Sequence, residues 1–198
     1  SYIAEKVKPI ASFRNYLKYG YYPYFKENKN TYHQRLASTI NLVIEADLPA
    51  IERVDYSTVQ KLKKLLYIIA TSVPFKPNVQ KLSEQIHSTR GTTLQYFDYL
   101  KNAQLLNLVR SQTQGTSLLN KPDKIYLHNP NLMFALAPEH ANLGTQRETF
   151  FYNQVKQMAD VTTSEAGDFL VNKKMVFEIG GKSKTVNQIR NKANSYLA

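Results

Sequence analysis

Two carboxylates late in the sequence, Asp168 and Glu178, have the type and spacing that can do chemistry. They lie in GDFLVNKKMVFEIGGKSK, Gly167 to Lys184, where Phe169 and Val171 alternate with Asp168 and Leu170, and Met175, Phe177 and Ile179 alternate with Val176 and Glu178. A period of two belongs to a strand, and Asn172-Lys173 can turn the chain between the two runs, so the stretch predicts a β-hairpin. Paired strands lie about 4.8 Å apart, close enough for both carboxylates to be aimed at one point. A magnesium or manganese ion held there needs only one or two protein carboxylates, with water or substrate phosphate filling its other positions. The plainer alternative is a hairpin whose acidic side chains face water.

Other chemistries find no support in the sequence. Gly180 to Ser183 reads GGKS, like the end of a phosphate-binding loop, but the first glycine of GxxxxGK[ST] would fall at Val176, whose side chain blocks the close backbone approach that loop requires. Nucleotide hydrolysis is therefore not expected of these residues. The histidines His33, His87, His128 and His140 stand apart from one another, with no HExxH spacing, and no GxSxG elbow occurs. With no cysteine in 198 residues, thiolate zinc sites, thiol nucleophiles and a disulfide-stapled secreted fold are excluded.

The elements that must position the acidic pair follow from composition and periodicity. A hydrophobic content of 42%, with 12% aromatic residues, is enough for one or two cores. No run of about 18 apolar residues and no signal peptide is seen, so a soluble, cytoplasmic protein with no membrane partner is expected. The net charge of +11 favours a polyanion as partner, with DNA the first candidate.

Phe13 to Phe25 is dense in tyrosine and phenylalanine interleaved with Arg14 and Lys18. Such a stretch can stack on bases, yet Gly20 and Pro23 divide it into a helix and a turn, where tyrosines pack against a neighbouring helix. Thr31 is positioned to cap a helix running to about Ala46 and ended by Asp47, Leu48 and Pro49. From Ser57, Val59, Leu62, Leu65, Leu66 and Ile69 recur at helical spacing, with lysines largely opposite. Asn78 caps a short helix with Val79, Leu82 and Ile86 inward, and Ser88 or Thr89 opens another carrying Leu94, Phe97 and Leu100. Strands at Leu106 to Val109 and Ile125 to Leu127 follow, joined by a polar loop.

Three helices and a hairpin in this order predict a winged helix-turn-helix domain. Such a domain puts the start of its third helix into the major groove and lays its wing on the backbone. The DNA-contacting candidates are then Arg90, Thr92, Thr93, Gln95 and Tyr96, with Lys121 and Lys124 near the wing. Arg90 leads this set because a guanidinium can grip guanine or a phosphate with two hydrogen bonds. Asn129 to Thr145 reads as a connecting loop with a helical turn. Arg147 to Met158 reads as a helix with Phe150, Phe151, Val155 and Met158 as its apolar set. A last helix carries Val186, Ile189 and Ala193.

Several stretches taken together carry a resemblance. LKYGYYPYF (Leu17 to Phe25), PFKPNVQKLS (Pro74 to Ser83), NKPDKIYLHNPNL (Asn120 to Leu132), RETFF (Arg147 to Phe151), DFLV (Asp168 to Val171), FEIGGK (Phe177 to Lys182) and NQIR (Asn187 to Arg190) resemble the C-terminal region of a family of prokaryotic AAA-type ATPases. The motifs are specific as an ordered set and weak singly. The resemblance implies an α+β architecture in three parts. These are a helical connector over residues 1–56 after an ATP-binding ATPase domain, the winged-helix domain over 57–128, and a nuclease-like α/β domain of PD-(D/E)xK type over 129–198, truncated at its end.

It also implies roles for single residues. Asp168 and Glu178 correspond to the metal-binding acids, Glu148 to an acid on the first helix beside the metal, and Gln188 to a glutamine near the scissile phosphate. The departure is at the lysine, which in active nucleases lies two residues after the glutamate. Here that position is Gly180, and the nearest candidate, Lys182, stands about 13 Å along the strand from Glu178. A DNA-binding accessory region with an inactive nuclease-like domain is therefore expected. A metal-dependent endonuclease using Asp168, Glu178 and Lys182, and a protein-interaction scaffold, are the alternatives.

Overall fold

Proline at the start of a helix forfeits no backbone hydrogen bond, and in the computed structural model Pro9 opens helix α1, Pro9–Tyr19. The structure describes residues 8–112, 121–180 and 194–198. A short 3-10 turn at Pro23–Lys26 leads to α2, Tyr32–Leu42. The helical path does not stop at Pro49 as the sequence predicts. A π turn, Val43–Asp47, carries it into α3, Leu48–Glu52, and Arg53 ends it in the left-handed region at φ 54°. Pro49 sits in the first turn of α3, where its missing N–H and fixed φ cost little.

Three helices with side-chain caps follow. Asp55 accepts the Thr58 amide at 2.8 Å and starts α4, Tyr56–Ala70. Asn78 accepts the Lys81 amide at 3.1 Å and starts α5, Val79–Gln85. Thr89 accepts the Thr92 amide at 3.1 Å and starts α6, Arg90–Asn102. Each cap satisfies one of the amides that a helix start leaves without an intrahelical partner. Strands β1, Leu106–Val109, and β2, Lys124–Leu127, then pair antiparallel with Leu106 opposite Leu127.

Helix α7, Pro130–Leu136, precedes α8, Leu143–Val155. Helix α8 begins ahead of the expected Arg147 because Asn142 accepts the Thr145 amide at 2.9 Å, so Glu148 stands inside the helix instead of at its start. Of the predicted apolar set, Phe151 and Val155 are half-buried and pack on the hydrophobic core, but the fully buried side chains of the helix are mostly polar. Thr145, Gln146, Thr149, Tyr152 and Asn153 are buried, while Met158 lies beyond the helix and is exposed. Hydrogen bonds satisfy part of that polar face: Gln146 donates to the Ala141 carbonyl at 2.8 Å and Asn153 to the His128 carbonyl at 2.8 Å, whereas the buried Thr149 hydroxyl has no partner among the described residues.

A second sheet has the order β3, Val161–Thr163; β4, Phe169–Val171; β5, Met175–Glu178; and β6, Ser195–Leu197. Neighbours are antiparallel except β6, which runs parallel to β5. The predicted hairpin is β4–β5. Asn172 and Lys173 take φ of 50° and 58°, and the Lys174 amide returns to the Val171 carbonyl at 3.1 Å. Two successive left-handed residues make the tight turn whose twist suits flanking strands. The predicted helix with Val186, Ile189 and Ala193 lies outside the described residues.

The result is a mixed α+β fold with two hydrophobic clusters, and the β1–β2 hairpin stands between them. Ile125 and Leu127 belong to the first cluster, which also gathers Leu36, Ile40, Leu62, Phe97 and Leu132. Tyr126 belongs to the second, with Tyr152, Phe169, Val171 and Ile179. Alternate strand residues point to opposite faces, so β2 feeds both clusters, and Lys124 falls on the face of Tyr126. The first cluster draws residues from α2, α4, α6 and α7, across positions 56 and 128 alike.

Candidate functional site

The acidic pair is set by the hairpin register. Phe169 lies opposite Phe177, and the Asp168 amide donates to the Phe177 carbonyl at 2.9 Å. Asp168 and Glu178 both line one cavity of ≈ 370 Å³, beside Glu165, Ala166 and Gly167. Gly167 is required there, since a Cβ on it would stand 2.8 Å from the Phe177 carbonyl oxygen.

The Asp168 carboxylate is engaged on both sides. Its Oδ2 accepts the Ile179 amide at 2.9 Å, and its Oδ1 lies 3.6 Å from the ammonium of Lys124. Glu148 takes the neighbouring hydroxyl: Tyr126 donates to its Oε2 at 2.7 Å. Burial, then the negative charge of Glu148, hold the Tyr126 phenol far above its ordinary range, so it remains a donor. The expected partners Lys182 and Gln188 lie outside the described residues. One Asp168 oxygen is filled by an amide and the other faces a cation, and among the described residues no group of three or more acidic or histidine side chains converges.

The basic face is built at the start of α6. Arg90 is exposed there and lines a cleft of ≈ 540 Å³ with Lys76, Asn78, Gln80 and Lys121. Asp123 is the one acid on that lining among the described residues. Gln95 is exposed one turn on, donating to the Tyr99 hydroxyl at 2.5 Å.

Four of the expected DNA contacts are buried or engaged within the chain. Thr93 is fully buried and its hydroxyl donates to the Thr89 carbonyl at 2.9 Å. Tyr96 is buried against α4, with its hydroxyl 3.4 Å from that of Thr58. The Thr92 hydroxyl lies 2.9 Å from that of Thr89, inside the cap itself. Lys124 turns away from the cleft toward Asp168 because it shares the face of Tyr126 on β2.

A family model described as a domain of unknown function (DUF8612) matches residues 10–149, more than two thirds of the 198-residue chain. The chain belongs to this family. The DUF8612 match contains Arg90, Lys121, Lys124 and Glu148, whereas Asp168 and Glu178 fall beyond it. No curated protein and no solved structure matches the chain. Among the described residues no helix is long and apolar enough to cross a membrane.

Sequence reasoning missed Lys76 and Gln80 in the cleft, and Lys124 as the cation facing Asp168. Lys76 is a single lysine between Phe75 and Pro77 and carries no pattern. The position of Lys124 was readable in part: counting alternate residues from the apolar Ile125 and Leu127 puts it on the opposite face.

Proposed function

We propose that this chain is a DNA-binding accessory region in which α4, α5, α6 and the β1–β2 hairpin act as a winged helix. The observation that carries the reading is the convergence of Lys76, Arg90 and Lys121, from three separate segments, on one cleft at the start of α6. Three cations around one groove, on a chain of net charge +11, suit the phosphates of a duplex. Arg90 at the helix start is placed to reach a base edge or a phosphate, and Gln95 extends the same exposed side. Helices α1, α2 and α3 form the connector, and the resemblance supports an ATPase domain of the same protein as their partner and as the seat of ATP binding.

Residues 129–198 are read as a nuclease-like unit with a structural or binding role. Within this unit Asp168 is held by Lys124 and the Ile179 amide. The test is a labelled duplex titrated with protein and read by fluorescence anisotropy. The wild type binds, and the triple variant Lys76→Ala, Arg90→Ala, Lys121→Ala does not. Absence of wild-type binding would remove the reading in favour of a protein-interaction scaffold. Plasmid nicking in magnesium or manganese, lost on Asp168→Ala, would replace it by an endonuclease.

A further inference from the structure

The β1–β2 hairpin reaches the basic cleft at one end and is fastened to the later sheet beside that end. Lys121 and Asp123 line the cleft. The Asp123 amide donates to the Val109 carbonyl at 2.9 Å, and its carboxylate accepts the Ser111 amide at 2.6 Å. Lys124, the next residue, stands opposite Val109 as the last rung of the β1–β2 ladder. The cleft residues of the hairpin therefore hang on the rung at Lys124.

That rung is held from the other side. Lys124 lies 3.6 Å from Asp168 Oδ1, and Asp168 is itself fixed, because its Oδ2 accepts the Ile179 amide at 2.9 Å. Two further contacts tie the hairpin to its neighbours: Tyr126 donates to Glu148 of α8 at 2.7 Å, and the Thr163 amide of β3 donates to the Arg110 carbonyl at 3.1 Å. Lys124 is the nearest of these hairpin residues to Lys121 in the chain. The Lys124 and Asp168 side chains are only 17% and 15% exposed. Swinging the hairpin away would strand a largely buried carboxylate, which costs more than the pair contributes.

A cation held in place before binding spares the ordering that a mobile one must undergo. If the hairpin spends only a fraction of its time in place, apparent affinity falls by that fraction. We propose that Asp168 is a positioning residue for duplex binding: through Lys124 it holds the root of the β1–β2 hairpin, so that Lys121 shares the cleft with Arg90. The inference rests on the duplex reading above and gives the later sheet a part in it. Its sign is distinctive. An acid near a DNA-binding surface that only repels phosphate would, on neutralisation, leave binding tighter, whereas loss of a positioning acid leaves it weaker.

A labelled duplex is titrated with the intact chain and read by fluorescence anisotropy, at a temperature where circular dichroism shows each variant folded. Asp168→Asn and Lys124→Met each weaken binding about threefold or more. Lys124→Arg, which keeps the ion pair, stays within about twofold of the wild type. The salt slope of Asp168→Asn is shallower by about 0.9, the share of Lys121, and adding Lys121→Ala to that variant then changes affinity less than about twofold. Without DNA, Asp168→Asn shifts the amide resonances of Lys121 and Asp123. An Asp168→Asn protein that binds as tightly as the wild type, or more tightly, would overturn the inference and leave the duplex reading standing. A wild type that does not bind would remove both.

Discussion

Replacing Lys124 by methionine separates a wing lysine that touches DNA from one that holds the acidic hairpin. The ammonium stands 3.6 Å from Asp168 Oδ1, and the two side chains are 17% and 15% exposed. At an effective dielectric of about 20 the gross attraction is about 5 kcal/mol. Desolvation of both charges offsets most of it, and the remaining exposure screens it further. A net loss of about 1–2 kcal/mol remains, or a melting temperature lower by roughly 3–6 °C for a chain of this size. Methionine keeps an apolar stem near the Phe169 ring, which the Lys124 ammonium approaches to 5.8 Å, so the variant reports on charge more than on packing. A thermal melt and a duplex titration are run on the same protein. A double-mutant cycle with Asp168→Asn is expected to show coupling of about 1 kcal/mol. A Lys124→Met protein with unchanged melting and tenfold weaker duplex binding would refute this placement of Lys124.

Further expectations follow from the same contacts. Gly167→Ala puts a Cβ 2.8 Å from the Phe177 carbonyl and should destabilise by about 1–3 kcal/mol by urea titration. It should also displace Asp168, giving NMR shifts at Ile179. Asp98→Asn removes a buried charge that lacks a donor and should raise stability by about 1 kcal/mol in the same assay. His128 is held down to about 4, chiefly by burial and then by Lys156, so the unfolded chain binds more protons than the native one between about pH 6.5 and 4. Stability is complete above the unfolded value and falls as pH drops through that window. Because the ring is partly exposed, the loss due to His128 is roughly 2 kcal/mol, and His128→Gln should flatten the profile there.

What the sequence discloses and what it hides divide along physical lines. The caps at Asn78 and Thr89 and the turn at Asn172-Lys173 are local, because each rests on one side chain or two backbone angles within a few residues. The apolar sets of α4, α5 and α6 are periodic over several turns. The start of α8 was missed because Asn142 follows a loop of similar polarity and the helix buries polar side chains. The path through Pro49 was missed because the π turn before it leaves no mark in residue type. Strands β3 and β6, three residues each, are too short for a period to register. The pairing of Lys124 with Asp168 and of Tyr126 with Glu148 joins residues far apart in the chain, so tertiary packing alone decides it.

The basic cleft is tested most directly by the salt dependence of duplex binding. Each phosphate contact contributes about −0.9 to the slope of log affinity against log salt. The wild type should show a slope of about −2.7 or steeper, and Arg90→Ala and Lys121→Ala should each make it shallower by about 0.9. Affinity that does not respond to salt, or slopes that stay the same in both variants, would contradict a phosphate-binding role for Arg90 and Lys121.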